Sequence, residues 1–172
     1  IHYAILGLAA AVVATSFAKI LDASETFFEK LRVPDWIKPA IGGLLIGTLG
    51  AFGLPHVYGV GYEFIEFALH GEMALGLLIM LIAAKIFATS ATLGSGGSGG
   101  ILAPSLFLGA MTGGVVWYGA NFITPDLVAP NFGPYALVGM AAVVASSTRA
   151  PLQAILILFE LTGGYAIILP LM

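Results

Sequence analysis

The sequence predicts an all-α membrane protein, built as a bundle of tilted and broken transmembrane helices. Three observations carry this. Of 172 residues, 59% are hydrophobic and only 9% charged, whereas soluble domains carry roughly 25% charged residues. Apolar segments recur along the chain at 3–21, 37–54, 74–93, 101–123, 135–147, 151–162 and from Ala166 onward. A simple spanning helix needs about 20 apolar residues, and the 135–147 and 151–162 segments fall short of that, with Pro151 between them. Short apolar pieces interrupted by Gly and Pro predict discontinuous helices, which survive in a bilayer only where protein or a water-filled path covers their ends.

The first helix runs past its apolar part. "LDASETFFEKL" keeps helix formers through Leu31, with Leu21, Phe28 and Leu31 at helical spacing. "RVPDWIKPA" then breaks it with two prolines. Lys19, Lys30, Arg32 and Lys38, four of the six basic residues, lie in this region, and Trp36 beside them suits an interface anchor. Basic residues favour the cytoplasmic side, which places this loop there. "GLPHVYGVGYEFIEFALHGEM" is the most polar stretch and holds His56, Glu63, Glu66, His70 and Glu72. Glu63, Glu66 and His70 share one helical face, as a metal site would require, but a solvated face of a short interfacial helix is the simpler expectation, because no HExxH-type pattern is present. Gly43/Gly47 and Gly109/Gly113 recur four apart, a spacing that predicts close helix packing.

Other functions are excluded or disfavoured. Six basic against nine acidic residues give a net charge of −3, which leaves no basic surface for nucleic acid. There is no cysteine, hence no thiol, disulfide or Cys-zinc chemistry. No nucleophile–base pair or convincing metal cluster points to an enzyme. No signal-peptide pattern opens the chain at Ile1, and "AIILPLM" ends inside an apolar run, so the sequence is expected to be part of a longer protein.

The central stretch "TLGSGGSGGILAPSLFLGA" holds Gly94, Gly96, Gly97, Gly99, Gly100 and Gly109 and no charged residue. It formally matches GxGxxG, but a membrane-length helix precedes it and the next acid is Asp126, so a dinucleotide site is rejected. A P-loop fails for want of Gly-Lys-Ser/Thr. Helix-terminus chemistry remains. Gly99 and Gly100 let the chain turn, and Pro104 fits a first helical turn, where its missing N–H costs nothing. The first turn of a helix leaves unpaired N–H groups and about half a positive charge. Within a bilayer those donors need a partner, and an anion fits. The absence of Lys or Arg here suits conduction, since a full charge in a dry site would hold a halide too long. The alternative on spacing alone is that these glycines only let two helices cross closely.

These residues resemble a known family. "GSGGSGGILAPSLFLGA" is similar to the G-S-G-x-x-G-G-[IV]-F-x-P segment of the CLC chloride channels and chloride/proton antiporters. "ALVGMAAVVASSTRAPLQAILILFELTGGY" resembles the same family's later G-M-[AG]-A segment with its R-A-P, and "PAIGGLLIGTLGAFGLPHVYGVGY" the preceding one. The resemblance is collinear over residues 1–172 and implies the second half of an inverted-topology repeat, roughly helices J to the start of Q. It implies chloride as the bound substrate, no further cofactor, a homodimer and a cell-membrane location. The anion-binding backbone amides map to Ile101 and Leu102, with Gly99, Gly100 and Pro104 supporting the turn. The family usually has Phe where this chain has Leu102, which alters the pore wall and leaves the amide in place. The family's coordinating serine, gating glutamate and internal proton glutamate belong to the first half, and its coordinating tyrosine is expected beyond Met172; Tyr165 does not replace it. Channel and exchanger therefore stay undistinguished, and a fluoride-selective relative or a non-transporting scaffold are the alternatives.

Lys85 and Glu160 fall in apolar segments and Arg149 lies between two of them, where ionisable groups are functional candidates. For Arg149 and Glu160 a structural pairing is expected rather than a proton relay. Lys85 is expected to snorkel or meet a polar partner, outside the pore.

Overall fold

The computed structural model describes residues 2–51, 59–70, 73–125, 128–130 and 132–162. The apolar segment from Ala166, Tyr165, His56, Glu72 and Asp126 lie outside them. Among the described residues the elements are α1 (His2–Lys30), α2 (Lys38–Ala51), α3 (Tyr62–His70), α4 (Leu75–Gly94), α5 (Leu102–Ile123), α6 (Gly133–Thr148) and α7 (Pro151–Thr162). Three of them, α1, α4 and α5, are long and apolar enough to cross a membrane.

With 29 residues, α1 spans about 43 Å at 1.5 Å per residue, more than a hydrocarbon core of about 30 Å, so it crosses with tilt or projects beyond it. Its buried residues Leu6, Ala10, Ala14 and Phe17 recur every three or four positions, the period of one helix face. Ala10, Ala14 and Phe17 pack with Ile86 of α4, Leu108 of α5 and Val143 of α6. The opposite face presents Ile5, Leu8 and Val12 outward, apolar side chains that lipid, not water, would cover. The chain then turns through Pro34, whose carbonyl accepts from the Ile37 N–H at 2.9 Å. Trp36 is exposed, and Lys38 Nζ meets Asp35 Oδ1 at 2.7 Å.

At the centre, α5 crosses α6. Every residue of α5 from Ser105 to Gly114 is buried. A Cβ on Gly109 would fall on the Gly139 carbonyl and the Cα of Met140, one on Gly113 on the backbone of Tyr135 and Ala136, and one on Gly139 back on the Gly109 carbonyl. The two backbones touch, as the Gly109/Gly113 spacing predicted. Gly43 and Gly47 behave differently: among the described residues, a Cβ on either meets no atom within 4 Å. The close approach of α2 is made by Gly42 instead, against the Ser95 side chain and the Ala91 carbonyl of α4. The period of four was present, but the packed face lies one residue away.

The break between α6 and α7 falls where Pro151 predicted it. Arg149 caps α6 in the left-handed conformation (φ 56°, ψ 28°), and Pro151 opens α7 as a first-turn proline. The main core joins Leu78 and Leu81 of α4, Phe107 and Met111 of α5, Phe132, Ala136 and Met140 around α6, and Leu158 of α7. This core fixes where α5 begins.

Candidate functional site

The site is built where α4 ends and α5 starts. At the end of α4, Gly97 N–H donates to Thr92 O and Gly96 N–H to Leu93 O, each at 2.9 Å, with Gly96 at φ +85°. This pair of bonds around a left-handed glycine is a Schellman motif, and it satisfies the last carbonyls of α4. Gly97 is pressed so close that a Cβ would lie 2.7 Å from Thr92 O, and one on Gly99 would lie 3.1 Å from Leu93 Cδ2. Gly100 differs from both, since among the described residues a Cβ there meets nothing within 4 Å.

Ile101 stands as the cap residue of α5 (φ −86°, ψ −18°) with no side-chain capping bond. The first turn closes through Ser105, whose N–H and Oγ donate to Ile101 O at 3.0 and 2.7 Å. Ser105 Oγ also lies 3.0 Å from Ser147 Oγ of α6, tying this turn to the neighbouring helix. Among the described residues, the N–H groups of Ile101 and Leu102 meet no backbone acceptor. Both residues are partly open, each 37% exposed. Soluble helices usually place Ser, Thr, Asp or Asn at the cap to occupy these donors; Ile101 cannot. The result is a positive helix end, with about half a unit charge, on a chargeless turn.

A cavity of about 400 Å³ adjoins this turn, and Ser98, Gly99, Gly100, Ala103 and Pro104 help line it. Gly59, Val60, Lys85, Thr89 and Thr92 also line it. The structure thus brings Gly99, Gly100 and Pro104 together in the lining of one cavity, with Ile101 and Leu102 at the neighbouring helix start and not among its lining residues.

Lys85 does not snorkel. It is buried, 3% exposed, and its Nζ donates to Gly59 O at 2.7 Å while sitting 4.9 Å from the centre of the Phe107 ring. The polar partner was anticipated; its place in the cavity wall beside the glycine turn was not. The only available signal was a lone cation in the middle of an apolar run. Arg149 and Glu160 are exposed, and among the described residues neither forms an ion pair, so the expected structural pairing is absent. Their helices diverge at the left-handed Arg149, which removes any shared face. Glu63, Glu66 and His70 lie on the exposed side of α3, His70 Nδ1 is 2.8 Å from Glu66 O, and among the described residues no metal-binding cluster is formed. That face is solvated.

A set of apolar helices, three of them long and apolar enough to cross a membrane, with an open helix start at a glycine turn, is the architecture of an integral membrane protein. Comparison with known proteins gives its family. The chain matches the voltage gated chloride channel family over residues 1–172, and it belongs to that family. It is 34% identical over 172 residues to the H(+)/Cl(-) exchange transporter ClcA of Yersinia pestis, covering 98% of this chain and 36% of that protein. It is 39% identical over 184 residues to the chloride channel protein CLC-f of Arabidopsis thaliana, covering 99% of this chain and 23% of that one. The structure of a slow cyanobacterial Cl−/H+ antiporter superposes with a TM-score of 0.84 at 30% identity, over 98% of this chain and 40% of the antiporter. The chain therefore spans well under half the length of these relatives, and its all-helical fold is that of the corresponding part of the antiporter.

Proposed function

We propose that this chain forms part of a chloride pathway in a CLC-type channel or chloride/proton antiporter, with the anion held by the backbone amides of Ile101 and Leu102. The observation that carries this reading is the pair of N–H groups at the start of α5 that no backbone acceptor takes up among the described residues. They adjoin a cavity that Gly99 and Gly100 help line. Unpaired amide dipoles attract an anion without the tight hold of a full charge, which suits entry and release. Gly99 and Gly100 leave the approach clear of side chains, and Pro104 presets the first turn of α5. Leu102 contributes its amide, while its side chain shapes the pathway wall. Family membership supports chloride as the substrate, with no further cofactor. We extend the reading to a homodimer in the cell membrane, in which the exposed apolar faces of α1 and α7 (Leu8, Val12, Leu152 and Leu156) meet lipid or a second copy.

The direct test is flux from liposomes holding the complete protein. Chloride efflux down its gradient is the expected result, with proton movement against a proton gradient separating an exchanger from a channel. Absence of chloride flux from folded, reconstituted protein contradicts the proposal.

A further inference from the structure

The first turn of α5 is held by a chain of hydroxyls that reaches in from α6. Ser105 is fully buried and has one hydroxyl hydrogen to give. That hydrogen goes to Ile101 O at 2.7 Å, beside the Ser105 N–H, which donates to the same oxygen at 3.0 Å. The 3.0 Å contact between Ser105 Oγ and Ser147 Oγ is then donated by Ser147, because the Ser105 hydrogen is already spent. Among the described residues Ser147 also has Val144 O in reach, but at 3.2 Å, and that carbonyl already takes the Thr148 hydroxyl at 2.7 Å. The chain therefore runs from Ser147 to Ser105 to Ile101 O. Ile101 O and the Leu102 N–H belong to one peptide plane, on opposite sides of a trans bond. Holding the oxygen toward Ser105, along the helix, turns the N–H outward from the helix start, where among the described residues it meets no backbone acceptor. Rotating that plane would break both bonds to Ile101 O.

We propose that Ser105 is a positioning residue for the anion site, and that Ser147 acts through it to aim the Leu102 amide. This inference rests on the amide reading above and deepens it, by naming what keeps one of the two donors in place. A serine bonded to the carbonyl four residues behind it is common in helices. Here that carbonyl shares its peptide unit with a proposed anion ligand, and a second hydroxyl from the neighbouring helix backs the bond. Hydrogen bonds in series polarise one another, so the doubly bonded carbonyl also makes the Leu102 N–H a stronger donor. The Ile101 N–H shares its peptide unit with the Gly100 carbonyl and lies outside the device. Removing the hydroxyls therefore weakens the site without erasing it.

The test is calorimetric titration of chloride into the complete protein in detergent, with thermal unfolding measured on the same samples. Ser105→Ala is expected to weaken chloride binding about fivefold, the factor that matches the net worth of one ordinary hydrogen bond. Ser147→Ala leaves Ser105 bonded to Ile101 O and is expected to weaken it about threefold, as one hydrogen bond between membrane helices does. The double variant should bind no worse than Ser105→Ala alone, since Ser147 reaches the site only through the Ser105 hydroxyl. Ser147→Thr keeps a hydroxyl at this partly buried position and should bind like wild type. A purely structural pair predicts another pattern: both alanine variants melt lower, and chloride affinity stays at the wild-type value. That pattern overturns the proposal, and so does a double variant whose loss is the product of the two single losses. Should Ser105→Ala fail to fold, Ser147→Ala decides alone, and wild-type affinity there overturns the proposal. In each of these cases wild-type chloride binding, and with it the amide reading, stands. Wild-type protein that binds no chloride would sink the amide reading itself.

Discussion

Replacing Gly139 by Ala probes the contact that aims α5. The new Cβ would fall on the Gly109 carbonyl and stand 3.1 Å from the Gly113 N. Both are backbone atoms of α5, so no side-chain rotation relieves the overlap; the helices must separate. Overpacking a tight core typically costs 1–3 kcal/mol, and a clash with rigid backbone belongs near the upper end, about 3 kcal/mol. Alanine returns about 1 kcal/mol of helix propensity, so the net loss is about 2 kcal/mol. Gly119→Ala, on the same α5, is the matched control, because a Cβ there meets nothing within 4 Å; it should gain up to about 1 kcal/mol by propensity alone. The assay is thermal unfolding of the complete protein in detergent, followed by the fraction that stays monodisperse. Gly139→Ala should melt clearly below wild type, and Gly119→Ala at or above it. A Gly139→Ala protein as stable as Gly119→Ala would refute the argument that backbone contact at this crossing sets the position of α5.

Other expectations follow from the same geometry. Gly100→Val should fold normally, because its Cβ points into open space, yet lose halide binding by calorimetry as its methyls occupy the approach; unchanged affinity in the folded variant counts against the amide site. Glu160→Gln should leave proton coupling intact, since Glu160 is exposed at the end of α7; loss of proton flux with chloride flux retained contradicts this. The Lys38 ammonium, hydrogen-bonded to Asp35, holds that carboxyl below its ordinary value. A lowered folded-state pKa stabilises above the unfolded value and loses its effect as pH falls through the folded one. Because Asp35 is fully solvated and screened, Asp35→Asn should leave the melting temperature at pH 7 unchanged within error; a fall of several degrees contradicts a surface role.

Much of the architecture was legible because it is written in apolar run lengths and in breakers. The runs at 74–93 and 101–123 became α4 and α5 within a residue or two, and Pro151 separated α6 from α7 as a proline must. The glycine turn was readable as punctuation, since only a left-handed residue such as Gly96 closes a helix with a Schellman motif. Which glycines pack was not readable everywhere. Gly42, Gly43 and Gly47 lie in one apolar run, and only tertiary placement against Ser95 distinguishes Gly42. The burial of Lys85 depends on a carbonyl 26 residues away in a loop and a ring on another helix, contacts with no sequence period. Arg149 in a left-handed conformation was equally hidden, because non-glycine residues rarely adopt it, and with it went the expected partnership with Glu160.

The measurement closest to the centre of this account is the anomalous scattering of crystals of the complete protein grown in bromide. A bromide peak within hydrogen-bonding reach of the Ile101 and Leu102 amides is the predicted result, and it should vanish in Gly100→Val. Ordered bromide elsewhere in the protein, with that helix start covered by protein atoms, would contradict it.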